Sequence, residues 1–589
     1  MRVRSAFSRG FFICTLAAAG CGGGGSAARD GGAGSSASGA AGTGTSGAAG
    51  TGQSGGTSGS GGAGGGLDGR PKPMGDFTVG TPATPGAWTA TPVTTGTVPV
   101  IVYPSSETRF PRNIYRTLFQ WQAQGMTKFR LSFVGAGTRV SVYSDGKHAD
   151  CAMATGAGCW EADEESWFLI SYGNAGDTVQ VTVDGLDETT QPATIRRSAP
   201  ITIGFSKQDV KGAIFYWSTT SAGIRRANIA AQWPEDYITG KPSTTYTNPA
   251  DAVKCVACHV VSRDGKYLVA PVDATSGKSL WVTEVTKDAP PNPLVKKIAN
   301  TDGHGFATIS PDDATVIAAF AGKMWTVDRA TGAFGANLNL GALKGTHPDW
   351  SPDGKQVAFA TADGDAPNGA SIALLPFQNG AWGAPTKIVD PPLNAMNKPM
   401  GTNLFPMHSP DSKWIAFTRG QKGGHGDLTY QLWTVPAAGG TPVELVNANR
   451  VVSNQMTDGT HENAQPTWAP PGDYHWIAFN SVRPYGVVLP KGTQQIWVAA
   501  VDPAKLAQGG VDPSYPAFRL QFQGLNEDNH RAYWTLDVRY TDTPPPPKPD
   551  GGVCVAFMDT CDPVADRCCS SDERCDTTDD GKTYHCGLF

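Results

Sequence analysis

Five consecutive residues carry the chain's most specific chemistry: Cys255-Val256-Ala257-Cys258-His259. Two thiols three positions apart can reach the two vinyl groups of a haem while the adjacent imidazole ligates the iron from one face. The spacing therefore predicts a c-type haem held by Cys255 and Cys258, with His259 as proximal ligand. Two other chemistries use the same residue types: a small structural disulfide beside an incidental histidine, and a redox-active dithiol. The motif runs straight into Val260-Val-Ser-Arg-Asp-Gly265 instead of opening a small helical domain, so the strands that follow would have to house the haem.

Those strands repeat. Ser262-Arg-Asp-Gly265, Ser310-Pro-Asp-Asp313, Ser351-Pro-Asp-Gly354, Ser409-Pro-Asp-Ser412 and Ala469-Pro-Pro-Gly472 are tight turns. Each is followed by a β-rich stretch such as Val357-Ala-Phe-Ala360 or Trp414-Ile-Ala-Phe417. A period of about 40–60 residues is the mark of propeller blades. A sixth blade can be assembled from Ala532–Val538 at one end of the region with Ala213–Trp217 and Gly223–Ala227 at the other, which closes the ring and removes its open edges. These turns with their following strands resemble the WD-like repeats of the TolB propeller family. The resemblance covers residues 211–540 and implies a six-bladed β-propeller of the kind known as a protein-interaction module. Aligning the turns puts Cys258, Phe306, His347 and Phe405 at one position, four residues before the first residue of each turn. The strand entering that turn is the innermost one and lines the channel, so His347, His304, Met407 and His461, with His408 beside them, are candidate distal iron ligands. A methionine there would favour electron transfer, and an open position would favour binding or reduction of a small molecule.

Two further units flank this region, giving an all-β chain overall. Residues 76–209 hold short strands between turns, among them Val98–Tyr103, Lys128–Phe133, Val140–Tyr143 and Val179–Val183, which suggests an immunoglobulin- or fibronectin-like β-sandwich. Cys151 and Cys159 share one loop there and are expected to bridge. The acidic run Glu161–Glu165 reads as a solvated loop, with cation binding as the alternative. After a Pro-rich linker, 541–552, six cysteines crowd residues 553–589. A unit that small needs cross-links, and six cysteines allow fifteen pairings. Their order resembles the cystine-knot family, which implies Cys554–Cys569, Cys561–Cys575 and Cys568–Cys586 in a stapled end-cap.

The first residues are an address. Arg2, Arg4 and Arg9 precede a short apolar stretch, Phe11–Ala19, too short to cross a bilayer as a mature anchor. Ala18-Ala19-Gly20-Cys21 resembles a bacterial lipoprotein signal over residues 1–21, with an ordinary secretory signal as the alternative. The resemblance implies lipidation of Cys21, export, and, from Gly22, an outer-membrane protein facing the periplasm or the cell surface. Residues 22–70 are almost wholly Gly, Ser, Ala and Thr, a flexible tether spanning very roughly 35–40 Å.

Composition narrows the functions. At 589 residues the chain should hold three or four folded units. A net charge of −5, with no basic stretch beyond the first ten residues, gives no counterion-release term for nucleic-acid binding. A propeller-bearing prolyl peptidase is not expected either, since the single G-x-S-x-G match, Gly52–Gly56, lies in the tether without the strand and helix that expose such a serine. Two functions remain: a lipid-anchored propeller carrying haem c for electron transfer or small-molecule redox chemistry, and a binding scaffold in which Cys255–Cys258 is a staple. The residues leave open whether the protein is an enzyme and which redox partner it would serve.

Overall fold

The computed structural model describes residues 70–535 and two strands, Arg574–Thr577 and Tyr584–Gly587. Residues 222, 229–233, 239–252, 257, 275–276, 286–295, 300–304, 363–367, 424–425, 452–460 and 489–491 are outside the description. So are the signal, Cys21, the tether, His304 and the side chain of Cys255. The three C-terminal disulfide pairings also lie outside the described residues.

The chain is all-β: a sandwich followed by a propeller. In the sandwich, a seven-stranded sheet built around Phe129–Val134, Thr138–Ser144 and Thr178–Asp187 faces a three-stranded sheet of Val100–Tyr103, Leu118–Gln122 and Ala157–Glu161. Alternation drives the packing: Phe129, Leu131 and Phe133 are buried on one face. Across the sheets, Phe119 meets Phe133 and Trp121 meets Phe129, each with ring centroids 5.0 Å apart. The seven-to-three division and two parallel strand pairs depart from the antiparallel immunoglobulin arrangement. Cys151 and Cys159 are bridged. The acidic run is no solvated loop. Asp163 caps the helix Glu164–Ser171 by accepting the Ser166 N–H at 2.7 Å, while Glu161 pairs with Arg116 and Glu165 with Arg70.

Six further sheets follow in chain order. The first holds Ala213–Ser218, Gly223–Asn228 and Glu235–Ile238 and takes its fourth strand, Asn529–Trp534, from the far end of the region. The other five begin with Val253–Val256 and Val260–Val261, Phe306–Ile309, Thr346–Trp350, Thr402–His408 and Ala464–Trp468. These leading strands touch one another in sequence, and Asn529–Trp534 touches both Val260–Val261 and Ala464–Trp468, so the inner strands form a closed ring. At the join the chain enters through Gly212 (φ 95°), where a Cβ would stand 1.8 Å from the Thr535 carbonyl oxygen; only glycine fits.

The repeated turn has a simple mechanism. In Ser351-Pro-Asp-Gly354 the Ser351 hydroxyl donates to Asp353 Oδ1 at 2.7 Å and accepts the Gln356 N–H at 3.1 Å, locking the hairpin entry from both sides. The same pair of bonds recurs at Ser262, Ser310 and Ser409. The fourth turn residue is left-handed in all four, with φ of 76° at Gly265, 58° at Asp313, 74° at Gly354 and 60° at Ser412. Glycine accepts that conformation freely, whereas a side chain costs about 1–2 kcal/mol.

The sandwich sits on the sixth sheet. Tyr103 Oη accepts the Arg519 N–H at 3.0 Å, Gln120 Oε1 accepts the Val487 N–H at 2.9 Å, and the Phe110 and Phe518 rings are 4.8 Å apart.

Asp313 violates the turn's own preference and is further burdened by charge: burial first, then the neighbouring Asp264 carboxylate, push its pKa up to about 6. An acid whose folded pKa is raised contributes stability below its unfolded value near 3.8 and loses it as pH rises through about 6. Asp313→Gly is therefore expected to stabilise the protein by about 1 kcal/mol or more at pH 7 and by less at pH 4, read from urea denaturation at the two pH values.

Candidate functional site

The site begins with a backbone irregularity. Between Leu404 and Met407 three steps along the inner strand oppose only two, Thr418 to Ala416, on its neighbour. The same one-residue excess occurs from Thr346 to Asp349, from Ala464 to Thr467 and from His530 to Tyr533. In the second sheet the four steps from Val256 to Val260 oppose three from Val272 to Val269. Each is a β-bulge, the device that re-aims a side chain within a strand. Each carries one left-handed non-glycine residue: Cys258 (φ 49°), His347 (49°), Phe405 (53°), Gln465 (55°) and Arg531 (45°). The third sheet is regular, pairing Phe306 with Ala319 and Ile309 with Val316.

The bulged residues meet at the centre. An open-mouthed cavity with about 10 Å³ of enclosed space, room for about one water, is lined by His347, Phe405, Gln465 and Arg531 with Asp349, Pro406, Met407, Pro466, Thr467 and Tyr533. The His347 ring lies 4.0 Å from that of Phe306 and 4.2 Å from that of Phe405. Cys258 packs against the apolar cluster that contains Phe306 and Phe405. Asp349 is already neutralised: Arg263 Nη2 donates to both its oxygens at 3.1 Å, and His408 approaches through its N–H at 2.7 Å and Nδ1 at 2.9 Å. Arg531 is 7% exposed and directs Nε and Nη2 at the Tyr533 hydroxyl, 3.2 and 2.7 Å away.

His259 follows the bulge and faces elsewhere. Its ring is fully buried, Nε2 lies 3.1 Å from the Phe215 carbonyl oxygen of the neighbouring sheet, and the Tyr533 ring packs edge-on at 5.4 Å. The carbonyl can only accept, so Nε2 carries the proton. Burial is the main cause that pushes the pKa down to about 3, opposed by that hydrogen bond and aided by the positive charge of Arg531. In three other sheets the residue after the bulge is Pro348, Pro406 or Pro466; Pro406 and Pro466 border the cavity, whereas His259 reaches across to the neighbouring sheet. A c-type haem needs an imidazole nitrogen turned toward an open face beside both thiols. As arranged, His259 does not offer such a nitrogen.

The remaining candidates scatter. His347 and Met407 line the cavity. His408 lies behind it, held by Asp349 and by Gln356 Nε2 at 3.3 Å. His461 is buried at the start of the sixth sheet, its carbonyl accepting Ser481 Oγ and the Val482 N–H. Between His259 and His347 stand Tyr533, Arg531 and Phe306, the guanidinium lying 5.3 and 5.2 Å from the two rings. The sequence reading missed Gln465, Arg531 and Tyr533. Gln465 lies four residues before the Ala469 turn and was within reach of the alignment. Arg531 lies four before Thr535, which begins no Ser-Pro-Asp motif.

The sheet order defines a β-propeller behind a β-sandwich. No family model matches the chain, and no curated protein does. Among solved structures it is similar to a TolB-type protein of Agrobacterium tumefaciens, 17% identical over 53% of this chain and 89% of that one, with a TM-score of 0.30. It is also similar to a chain of the nidogen–laminin complex, 10% identical over 55% and 97%, TM-score 0.33. A third similarity is to oligogalacturonate lyase in complex with manganese, 16% identical over 50% and 73%, TM-score 0.29.

A histidine whose folded pKa is depressed contributes stability above its unfolded value of 6.5 that is lost as pH falls toward about 3. His259→Phe leaves the Phe215 carbonyl unsatisfied and is expected to cost about 1–3 kcal/mol at pH 7. The deficit should shrink at pH 5, where the wild-type histidine itself opposes folding. Paired denaturation curves at the two pH values check it.

Proposed function

We propose that this protein is an exported, lipid-anchored propeller whose central channel binds a ligand, with Cys255 and Cys258 serving as a structural staple and not as haem attachment points. One observation carries the reading: four of the inner strands spend a bulge and a left-handed backbone residue to turn His347, Phe405, Gln465 and Arg531 toward the same cavity. Such residues cost about 1–3 kcal/mol each and persist where the surroundings over-determine them, commonly at binding sites. A merely structural channel has no need of four. Polar groups that orient a ligand and apolar groups that pack it line the cavity together. The sandwich, seated on the sixth sheet through Tyr103, Phe110 and Gln120, gives the propeller a fixed neighbour. The Gly/Ser-rich segment after Cys21 would give it reach from the lipid.

Two measurements on the full chain test this. Expressed with its signal in a host that matures c-type cytochromes, the protein should be colourless in a pyridine haemochrome assay, with an intact mass lacking a haem and short by the two protons of a Cys255–Cys258 bridge. A haem band with the matching mass would overturn the staple. In a thermal-shift survey of small metabolites, compounds that stabilise the wild type should lose their effect in Gln465→Trp, which fills the cavity. An unchanged response in that variant would move binding away from the channel.

A further inference from the structure

The cavity contains a charge without a counterion. Arg531 is 7% exposed, and its Nη1 is buried with no hydrogen-bond partner. Its other two nitrogens are spent on the neutral Tyr533 hydroxyl. Among the described residues no carboxylate lies within ion-pair distance of it. The cavity's one acid, Asp349, is committed to Arg263 and His408. Lining the same cavity, Gln465 is 6% exposed and its side-chain oxygen is also without a partner; its amide can turn to offer N–H in place of oxygen. Removing a cation from water without pairing it costs several kcal/mol. Proteins retain such a group where a ligand completes it.

Resting on the reading that the channel is the binding site, we propose that its ligand is a small monocarboxylate, the carboxylate taking the enclosed space at Nη1 of Arg531 with Gln465 lining the same cavity, and the carbon skeleton lying at the cavity's open mouth. A monoanion suits the site better than a phosphate. One guanidinium edge and one amide supply few donors, whereas a dianion with three oxygens calls for a cluster of them. Phe405, Pro406, Met407 and Pro466 stand among the polar groups, which favours an organic acid over a free inorganic ion.

The test is a titration of the full chain, followed by thermal shift and calorimetry, with benzoate, short-chain fatty acids, benzamide and inorganic phosphate. The expected result is saturable stabilisation by carboxylates, at least tenfold weaker binding of benzamide and phosphate, and weakening as ionic strength rises. Arg531→Met retains the stem's packing and removes the charge. It should melt no lower than the wild type in anion-free buffer and lose the carboxylate response by tenfold or more, with Arg531→Lys in between. If both variants fail to fold, Gln465→Leu, which removes the partner amide, should still weaken carboxylate binding severalfold. Tighter binding of phosphate or of the neutral amide, lost in Gln465→Trp, would overturn the carboxylate and leave the channel reading standing. Carboxylate binding of equal strength in the wild type, Arg531→Met and Gln465→Trp would overturn both.

Discussion

Everything in the propeller depends on one pairing made between its two ends. Asn529–Trp534 occupies the inner position of a sheet whose other strands begin at Ala213, with Ile214 opposite Trp534 and Trp217 opposite His530. An inner strand without neighbours on both sides would expose a row of backbone donors and acceptors as well as an apolar face. Closing the circle satisfies both at once. Thr535 fastens the join, its N–H reaching the Ala213 carbonyl at 3.0 Å, and Asp528 holds the other end by accepting the Thr219 hydroxyl at 2.7 Å and the Gln494 N–H at 2.8 Å. The strand that closes the ring also carries Arg531 and Tyr533, so the cavity is complete only when the circle is.

Architecture and site are made from the same irregularity. A regular inner strand such as Phe306–Ile309 completes its sheet with no extra residue. Its bulged counterparts accept backbone strain and gain an inward side chain each. The residue after the bulge faces differently from sheet to sheet: Pro406 and Pro466 still border the cavity, whereas His259 reaches the neighbouring sheet. His259 suits its place because the Phe215 carbonyl accepts the hydrogen bond from its Nε2–H. Local rules are broken together at one depth of the channel, the pattern expected where function and fold compete.

The sheets were legible in the sequence because their signal is local. A serine, an aspartate two residues on and a left-handed residue after that are a hydrogen-bonding unit complete within six residues, and the strands that follow alternate or run apolar as buried strands must. The far join between Ala213 and Trp534 could be inferred from the rule that edges are closed. The helix at Glu164 was hidden because its acidic start reads equally as solvent-exposed loop until Trp167, Phe168 and Ile170 are seen to be covered or nearly so. The facing of the C-x-x-C-H residues was not legible for a related reason. Spacing along a strand fixes which residues are adjacent but not which way they face, and a bulge reverses facing within one residue. Cys258 packs toward Phe306 and Phe405, whereas His259 reaches the Phe215 carbonyl of the neighbouring sheet. Arg531 was missed because its importance lies in what is not beside it, and no local pattern records an absent counterion.

The join between the two ends also sets an order of events. Ala213 and the Thr535 that fastens it are 322 residues apart in the chain. At a synthesis rate of about 5–20 residues per second, roughly 15–60 s pass between the appearance of the first three strands of that sheet and that of the fourth. Throughout this interval the edge beginning at Ala213 waits unpaired, rich in Ile214, Phe215, Tyr216 and Trp217, able to accept any extended segment that arrives first. Molecules that survive the wait close into a structure without free inner edges, and those that do not are lost to aggregation. Covering that edge until Asn529–Trp534 arrives is therefore a requirement of the topology itself, separate from the stability of the closed ring.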